Sequence, residues 1–374
     1  MKKILALALA ALMVCAIFAG CAKTQDTGDT GAEAPVSDAA ESVKVGFIYV
    51  GPVGDGGFTA AHDAARLAMQ ENMKDYNVET FMVENVPESS DCATAIESLI
   101  KQQGCTIIFA TSFGHQPYVV EMAEKYPDVT FFHCSGYETR DNLSQYFGRM
   151  YQPRYLSGIA AGAATQTDKI GYVAAMGIPE VIRGINAFTL GVRSVNPDAE
   201  VQVVWTNTWY DPTLERSAAQ SLLDAGCDVI AQHQDTFEPV AAAEEANAYS
   251  VGYHTSMLGS APNGYLTAPI WNLANYYTES VKSVIDGTYV SSTYWGGLET
   301  GTVLLDVFGP SVSEETKALI AEKQQAIIDG TWDVFYGEIK DQAGEVRVAE
   351  GESLTDEEIW GIDWFVEGVV GSVN

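Results

Sequence analysis

The segment that most constrains the fold of this chain is residues 45–66, VGFIYVGPVGDGGFTAAHDAAR. It contains an apolar run over 45–50, a glycine-rich turn over 51–57, and a helical pattern over 59–72. A strand that enters a helix through such a turn is the first half of a β–α–β unit, and open α/β sheets bind ligands at the carboxyl ends of their strands. Asp55 and Phe58 add a carboxylate and a flat apolar ring to that turn. The segment therefore predicts an α/β fold with a small-molecule site at this loop.

The same alternation of short apolar runs and helical patterns continues along the chain and then restarts. In the first half, strands are predicted at residues 45–50, 78–83, 106–110, 129–134 and 146–148. In the second half, they are predicted at 169–174, 200–204, 229–232 and 250–253, and residues 270–286 are predicted as a helix. The helix over 154–165 contains SGIAAGAAT, whose small side chains permit close helix packing. Such alternation indicates parallel sheets covered by helices, in two lobes with a cleft between them.

The amino terminus has the pattern of an exported lipoprotein. Lys2 and Lys3 precede the apolar run 4–20, and small residues precede Cys21. A basic start, a short hydrophobic stretch and a small-residue cleavage site are typical of a secretory signal. We expect a signal peptide over 1–20, a lipid anchor on Cys21 and a flexible tether over 21–43; an uncleaved transmembrane helix is the alternative.

Charge and cysteine content narrow the possible partners. The net charge of −30 makes nucleic acid and phosphate-rich partners improbable. Cys92, Cys105, Cys134 and Cys227 show no zinc-ligand spacing, and three of them lie in or beside apolar runs. We expect buried thiols, with a disulfide between Cys92 and Cys105 as an open alternative.

The sequence offers no catalytic constellation, metal motif or cofactor motif. It has no G-x-S-x-G, H-E-x-x-H or P-loop pattern, and its five histidines lack the short spacing of a metal pair. The glycines of 51–57 lack strict G-x-G-x-x-G spacing, which argues against a dinucleotide-binding oxidoreductase. We therefore predict a binding protein rather than an enzyme, with no cofactor and no metal.

Aromatic and hydrogen-bonding residues are concentrated at the predicted strand ends. Aromatic plates with a few polar groups suit a flat, neutral heterocycle, and the scarcity of Lys and Arg in these loops indicates an unphosphorylated ligand. The candidate ligand-binding residues are Asp55, Phe58, Ser112, Phe113, Asn207, Trp209, Asp235 and His254.

Several long strings resemble the basic membrane protein family of ABC-transporter substrate-binding lipoproteins, which are relatives of purine-nucleoside receptors. The opening segment, YFGRMYQPRYLSGIAAGAAT, KIGYVAAMGIPEVIRGINAFTLGVRSVNPDAEV, TNTWYDPTLERSAA and DVIAQHQDT carry the resemblance, and IWNLANYY, GIDWFVEGVVG and the lipobox add to it. The match covers most of residues 44–370. GPVGDGGF and NTWYDP resemble the branch of the family that binds purine bases.

The resemblance implies a type I periplasmic-binding-protein fold, in which two Rossmann-like lobes are joined by three crossovers. Lobe 1 would comprise 44–147 plus 255–295, and lobe 2 would comprise 148–254 plus 296–374. The ligand would stack between Phe58 and Trp209. His254 stands where nucleoside receptors have a ribose-binding Asp, and a ligand-contacting lysine of those receptors aligns near Trp271; both differences favour a bare base over a nucleoside.

By the same resemblance, the protein would deliver its ligand to the permease and ATPase subunits of an importer, as a monomer anchored to the outer face of the cell membrane. The alternatives are a receptor for a purine nucleoside or a flavin, a sensory surface lipoprotein of the same fold, and an exported hydrolase such as a nucleosidase.

Overall fold

The computed structural model of the protein describes residues 42–373. The predicted signal peptide, the Cys21 anchor and nearly all of the predicted tether lie outside these residues. No helix within 42–373 is long and apolar enough to cross a membrane.

The strands are β1 (Val43–Ile48), β2 (Val78–Val83), β3 (Ile107–Ala110), β4 (Thr130–Cys134), β5 (Leu143–Gly148), β6 (Lys169–Ala174), β7 (Glu200–Trp205), β8 (Val229–His233), β9 (Tyr249–Val251), β10 (Tyr265–Thr267), β11 (Pro269–Trp271), β12 (Thr293–Gly296), β13 (Val303–Leu305), β14 (Ile339–Lys340), β15 (Val346–Val348) and β16 (Val369–Val370). The helices are α1 (Phe58–Asn72), α2 (Asp91–Ser98), α3 (Gln116–Lys125), α4 (Tyr151–Ala164), α5 (Pro179–Val195), α6 (Pro212–Asp224), α7 (Glu238–Glu245), α8 (Ala274–Ile285), α9 (Glu314–Ile328) and α10 (Asp356–Trp360).

Two parallel six-stranded sheets form two lobes of similar plan. The first sheet has the order β12-β5-β4-β3-β1-β2, and the second has the order β10-β9-β8-β6-β7-β16. In each lobe the first strand of the lobe, β1 or β6, lies between its two successors, so the strand order reverses there. Such a reversal opens a crevice at the carboxyl ends of the strands. The two crevices face each other and position the site.

The chain passes between the lobes three times. It leaves the first sheet after β5, returns between β11 and α8, and leaves again after β12. Short antiparallel pairings, β11 with β13 and β14 with β15, accompany the two main sheets. The predicted α/β architecture with three crossovers is confirmed.

The strands at the centre of the parallel sheets are apolar and buried. All four residues of β3, Ile-Ile-Phe-Ala, are buried, as expected of a strand with helices on both faces.

The four cysteines of the described region are buried and unpaired, so no disulfide joins Cys92 and Cys105. Burial raises the pKa of both thiols to about 12.

Two sequence expectations differ from the structure between residues 255 and 295. The predicted helix over 270–286 begins only at Ala274, because Pro269–Trp271 pairs as β11 with β13. Strand pairing at long range has overridden a local helical pattern there. The unpredicted strand β10 pairs with β9, which puts residues 265–267 in the second sheet although lobe 1 was expected to include them.

Candidate ligand site

A cleft lies between the two lobes, with about 340 Å³ of empty space that includes its opening to solvent. The loops at the carboxyl ends of both sheets, together with α1, β5 and α5, supply its walls. Its lining residues are Val50, Phe58, Thr111, Ser112, Phe113, Ser135 and Phe147 from the first lobe, and Glu180, Trp209, His233, Asp235 and His254 from the second.

Of the predicted ligand residues, six line the cleft: Phe58, Ser112, Phe113, Trp209, Asp235 and His254. The other three, Asp55, Asn207 and Trp271, do not belong to the lining.

Asp55 caps the first helix instead of facing the opening. Its carboxylate accepts hydrogen bonds from the backbone N–H groups of Gly57 (2.8 Å), Thr59 (2.8 Å) and Ala60 (2.9 Å). Burial raises the pKa of the carboxyl group, although the three bonds oppose that shift. The first helical residue is Phe58, so Asp55 fixes the position of this ring at the cleft wall.

An aromatic cluster backs the ring of Phe58. His62, His254 and Trp271 approach it edge-on, with ring centroids 4.3, 5.2 and 6.3 Å away. Edge-to-face pairs of this kind stabilise a defined ring orientation. The cluster therefore fixes the orientation of the Phe58 ring at the wall of the cleft.

Trp271 determines which nitrogen of His254 faces the cleft. The indole Nε1–H, which can only donate, donates to His254 Nδ1 at 2.9 Å. Burial lowers the pKa of His254 well below its usual value, so the ring is neutral and its proton is on Nε2. That nitrogen lies 3.3 Å from Asp235 Oδ1 and has no geometrically sound hydrogen-bond partner within residues 42–373. His254 thus presents a buried N–H donor.

Trp209 and Asp235 are adjacent through the backbone. The Asp235 N–H donates to the Trp209 carbonyl (3.3 Å), while Trp209 Nε1 is buried with no partner among the described residues. Burial raises the pKa of Asp235 well above its usual value, and neighbouring carboxylates, Asp55 first, add to the rise. Asn207, at φ +56°, is exposed in the turn before Trp209, where its N–H donates to the Ala175 carbonyl.

The loop after β3 is anchored to the rest of its lobe. Ser112 Oγ donates to Glu88 Oε1 at 2.7 Å, and the Ser112 carbonyl accepts from His133 Nε2 at the same distance. Because its hydroxyl is bonded to Glu88, Ser112 holds the loop that carries the half-buried Phe113.

Sequence reasoning missed Glu180, which lines the second lobe's wall together with the predicted Asp235. Glu180, in the first turn of α5, accepts from Ser135 Oγ at 2.5 Å, and His233 Nε2 lies 3.5 Å from its other oxygen. Burial raises the pKa of Glu180, but His233, Arg183 and Ser135 lower it by more. No sequence signal pairs Glu180 with Ser135, which lies 45 residues earlier in the chain.

Several contacts join the lobes around the cleft. Ser135 of the first lobe bonds Glu180 of the second, and Thr255 Oγ1 donates to the Gly56 carbonyl at 2.6 Å. A Cβ atom on Gly57 would lie 2.3 Å from the Asp235 carbonyl oxygen, so the backbones touch at this point. The structure is therefore that of lobes closed over the cleft.

Glu215 connects the two second-lobe loops that carry Trp209 and Asp235. Its carboxylate accepts from the Asp211 N–H (3.0 Å) and from the Thr236 hydroxyl (2.5 Å) and N–H (3.2 Å). Burial raises its pKa to about 7, against the opposing effect of these bonds. Glu215 thereby fixes the distance between the loop of Trp209 and the loop of Asp235.

Chemically, the cleft combines apolar rings with buried donors and acceptors. Phe58, Phe113, Phe147 and Trp209 supply the rings, and none of the described lining residues is Lys or Arg. The residues within 42–373 include no group of three His, Cys, Asp or Glu placed to hold a metal ion. This arrangement suits a flat, uncharged molecule with hydrogen-bonding edges.

The sequence and fold resemble those of known proteins. The profile of the family described as ABC transporter substrate-binding protein PnrA-like matches residues 42–332. The chain is 41% identical over 333 residues to the putative ABC transporter glucose-binding protein TsgA13 of Haloferax volcanii, covering 89% of this chain and 82% of the relative. It is 40% identical over 331 residues to a purine-binding protein of Brucella abortus, covering 88% and 94%.

A solved structure also shares the fold. The solute-binding protein of an ABC transporter system from Aeropyrum pernix K1 superposes with a TM-score of 0.68 at 21% identity, covering 80% of this chain and 93% of that one. The predicted periplasmic-binding-protein fold is confirmed by this likeness.

Proposed function

The chain belongs to the PnrA-like family of ABC-transporter substrate-binding proteins, and we propose that it binds a purine base in the inter-lobe cleft and delivers it to an importer. Members of this family are non-enzymatic components of transporters that work outside the cytoplasm with permease and ATPase subunits. The observation that carries the ligand proposal is the pairing of aromatic walls with the buried N–H groups of Trp209 and His254, which have no hydrogen-bond partner within residues 42–373.

The cleft residues have the chemistry to recognise a purine. The rings of Phe58 and Trp209, from opposite lobes, would cover the two faces of the base, and each base–aromatic stack contributes roughly 1–3 kcal/mol. The N–H groups of His254 and Trp209 would donate to ring nitrogens or an oxo group. Asp235 and Glu180 would accept from ring or exocyclic N–H groups, which neutral purines carry at their edges.

Binding and closure are coupled in this proposal. The ligand contacts residues of both lobes, so it has more contacts in the closed state than in an open one. A ligand with higher affinity for one state shifts the population toward it. The Ser135–Glu180 and Thr255–Gly56 hydrogen bonds would then form across the cleft as the lobes close.

The lipid anchor is also a proposal. Cys21, outside the described residues, would carry a diacylglyceryl group after removal of residues 1–20, and residues 21–43 would tether the two-lobed body to the outer face of the membrane. Residue 43 begins β1, so the tether would end where the first lobe starts.

A sugar is the second candidate ligand, because the relative from Haloferax volcanii is named as a glucose-binding protein. The carboxylates of Glu180 and Asp235 could accept sugar hydroxyls. Aromatic rings pack against the C–H faces of a sugar as well as against a planar base, so a ligand panel must separate the two candidates.

A thermal-shift panel tests the proposal. Purine bases, purine nucleosides, flavins, pyrimidines and sugars would each be added to the ligand-free protein, and the unfolding temperature recorded. A ligand at 100 times its Kd stabilises the native state by about 2.7 kcal/mol, which gives a measurable shift. We expect purine bases to give the largest shift. Stabilisation by glucose with none by any purine would overturn the ligand assignment.

A further inference from the structure

A polar chamber lies behind the cleft, on the second lobe. Arg154 of α4 is only 1% exposed; its Nη1 donates to the Gln232 carbonyl at 2.6 Å, and its guanidinium lies 3.6 Å from the ring centroid of Tyr253. Its Nε and Nη2 atoms have no hydrogen-bond partner among residues 42–373. Burying a guanidinium with two such nitrogen donors costs folding free energy unless another group accepts hydrogen bonds from them.

Two more buried polar atoms that lack partners in the described part of the chain lie at the same place. They are Tyr172 Oη on β6 and His233 Nδ1 on β8. A Cβ atom on Gly184 of α5 would lie 3.6 Å from Arg154 Nε, 3.7 Å from His233 Nδ1 and 3.8 Å from Tyr172 Oη. Residues from three elements therefore place polar atoms around one point, where the glycine of a fourth element leaves room. We call this point the Gly184 chamber.

The chamber adjoins a small cavity lined in part by Arg154, Gly184 and His233. The cavity shares Phe147, Glu180 and His233 with the ligand cleft. The chamber is therefore a second layer behind the acidic wall of the cleft.

The hydrogen-bonding character of each atom limits what can occupy the chamber. Arg154 Nε and Nη2 can only donate, and Tyr172 Oη can donate or accept. Burial lowers the pKa of His233 to about 4, so its ring is neutral. Its Nε2 atom lies 3.5 Å from an oxygen of Glu180, whose pKa is lowered, and a carboxylate at this position favours the tautomer with the proton on Nε2. The Nδ1 atom of the neutral ring then directs a lone pair into the chamber and can only accept a hydrogen bond. The occupant must therefore accept hydrogen bonds from Arg154 and donate one to His233 Nδ1.

We propose that the Gly184 chamber binds one water molecule, which accepts from Arg154, donates to His233 Nδ1 and exchanges a hydrogen bond with Tyr172. Water satisfies buried polar groups in this way, with two to four partners. A halide would accept from Arg154 but would meet the lone pair of His233. Through the water, Arg154 is a positioning residue that keeps the Nε2–H of His233 directed at Glu180. The inference does not depend on which ligand the cleft binds.

Crystallography of the full chain tests the occupant. We expect a density peak within 2.7–3.2 Å of Arg154, His233 Nδ1 and Tyr172 Oη. A parallel crystal grown in bromide should show no anomalous peak there. An anomalous peak would identify the occupant as a halide, and the absence of density would show that the chamber is empty. Either result would overturn the proposal.

The variant Gly184→Ala tests the role of the water without touching a charged residue. The new methyl group would make ordinary contacts at 3.6–3.8 Å, so the variant has room to fold. Alanine is the better helix former, yet we expect a lower Tm because Arg154 loses its water. Gly259→Ala, at a position with no atom within 4 Å of the new Cβ, is the control and should not lower the Tm.

The nitrogen-15 NMR signal of His233 supplies a readout that a packing change alone would not move. In the wild-type protein we expect Nδ1 to show the shift of an unprotonated, hydrogen-bonded nitrogen, and in Gly184→Ala that of a free one. An unchanged Nδ1 signal, or a Gly184→Ala protein more stable than the wild type, would overturn the proposal.

Discussion

Gly57 lies where the backbones of the two lobes are in contact. Its ideal Cβ position lies 2.3 Å from the carbonyl oxygen of Asp235, a distance that no side chain tolerates. Gly54, three residues earlier in the same loop, has no atom within 4 Å of its Cβ position. The glycine at 57 is thus required by the closed geometry, and the one at 54 is not.

The substitution Gly57→Ala should weaken ligand binding at least tenfold, or about 1.4 kcal/mol, because the added methyl group keeps the lobes apart. Isothermal titration with the best ligand of the panel measures this loss. Gly54→Ala is the matched control and should bind like the wild type. Equal affinity of the Gly57→Ala and Gly54→Ala variants would contradict the lobe contact.

The sequence located part of the site because ligand residues of α/β proteins follow strand ends. Phe58, Trp209 and Asp235 could be chosen from that rule alone. The same rule could not tell that Asp55 would cap α1, since local N–H groups compete for a carboxylate. Glu180 was missed because its partner Ser135 comes from the other lobe.

At the scale of elements, α4 and α5 pack with their backbones in contact. A Cβ atom on Gly158 would lie 2.1 Å from the Phe188 carbonyl oxygen, and one on Gly191 would lie 2.0 Å from that of Tyr155. These two helices carry Arg154, Glu180 and Gly184, so their close approach positions both the acidic wall and the chamber behind it.

Gly158→Ala should lower the free energy of unfolding by about 1–3 kcal/mol, the usual cost of overpacking a well-filled core. Urea denaturation measures it, and Gly259→Ala serves again as the unstrained control. A Gly158→Ala protein as stable as that control would show that the helices can separate at little cost.

Element prediction succeeded where local and tertiary preferences agree. The strand pattern of 78–83 and the small-residue helix over 154–165 correspond to β2 and α4, and the close packing expected of SGIAAGAAT is present. It failed for β10 and β11, three residues each, which exist because β9 and β13 offer edges to pair with. No local signal encodes such a pairing.

At the scale of the whole molecule, the buried Glu215 makes stability depend on pH. Its pKa rises from 4.5 to about 7 on folding, mainly through burial. The folded state therefore binds this proton more tightly than the unfolded state does. The resulting stabilisation is fully present below pH 4.5 and is lost as the pH rises through about 7.

Glu215→Gln should remove this pH dependence. The stability of the variant relative to the wild type should rise by up to about 3 kcal/mol between pH 4.5 and pH 8. Urea denaturation of both proteins at several pH values measures the difference, and groups titrating in both proteins cancel. Parallel pH profiles would contradict the assignment of this titration to Glu215.

The measurement that most directly tests the central claim is calorimetric titration of the wild-type protein and of Trp209→Ala with a purine base and with glucose. We predict saturable one-to-one binding of the base, no binding of glucose, and a loss of about 1–3 kcal/mol in Trp209→Ala. The neighbouring, exposed Tyr210 provides the control variant Tyr210→Ala. Binding of glucose but not of the base, or unchanged affinity of Trp209→Ala for the base, would contradict the account.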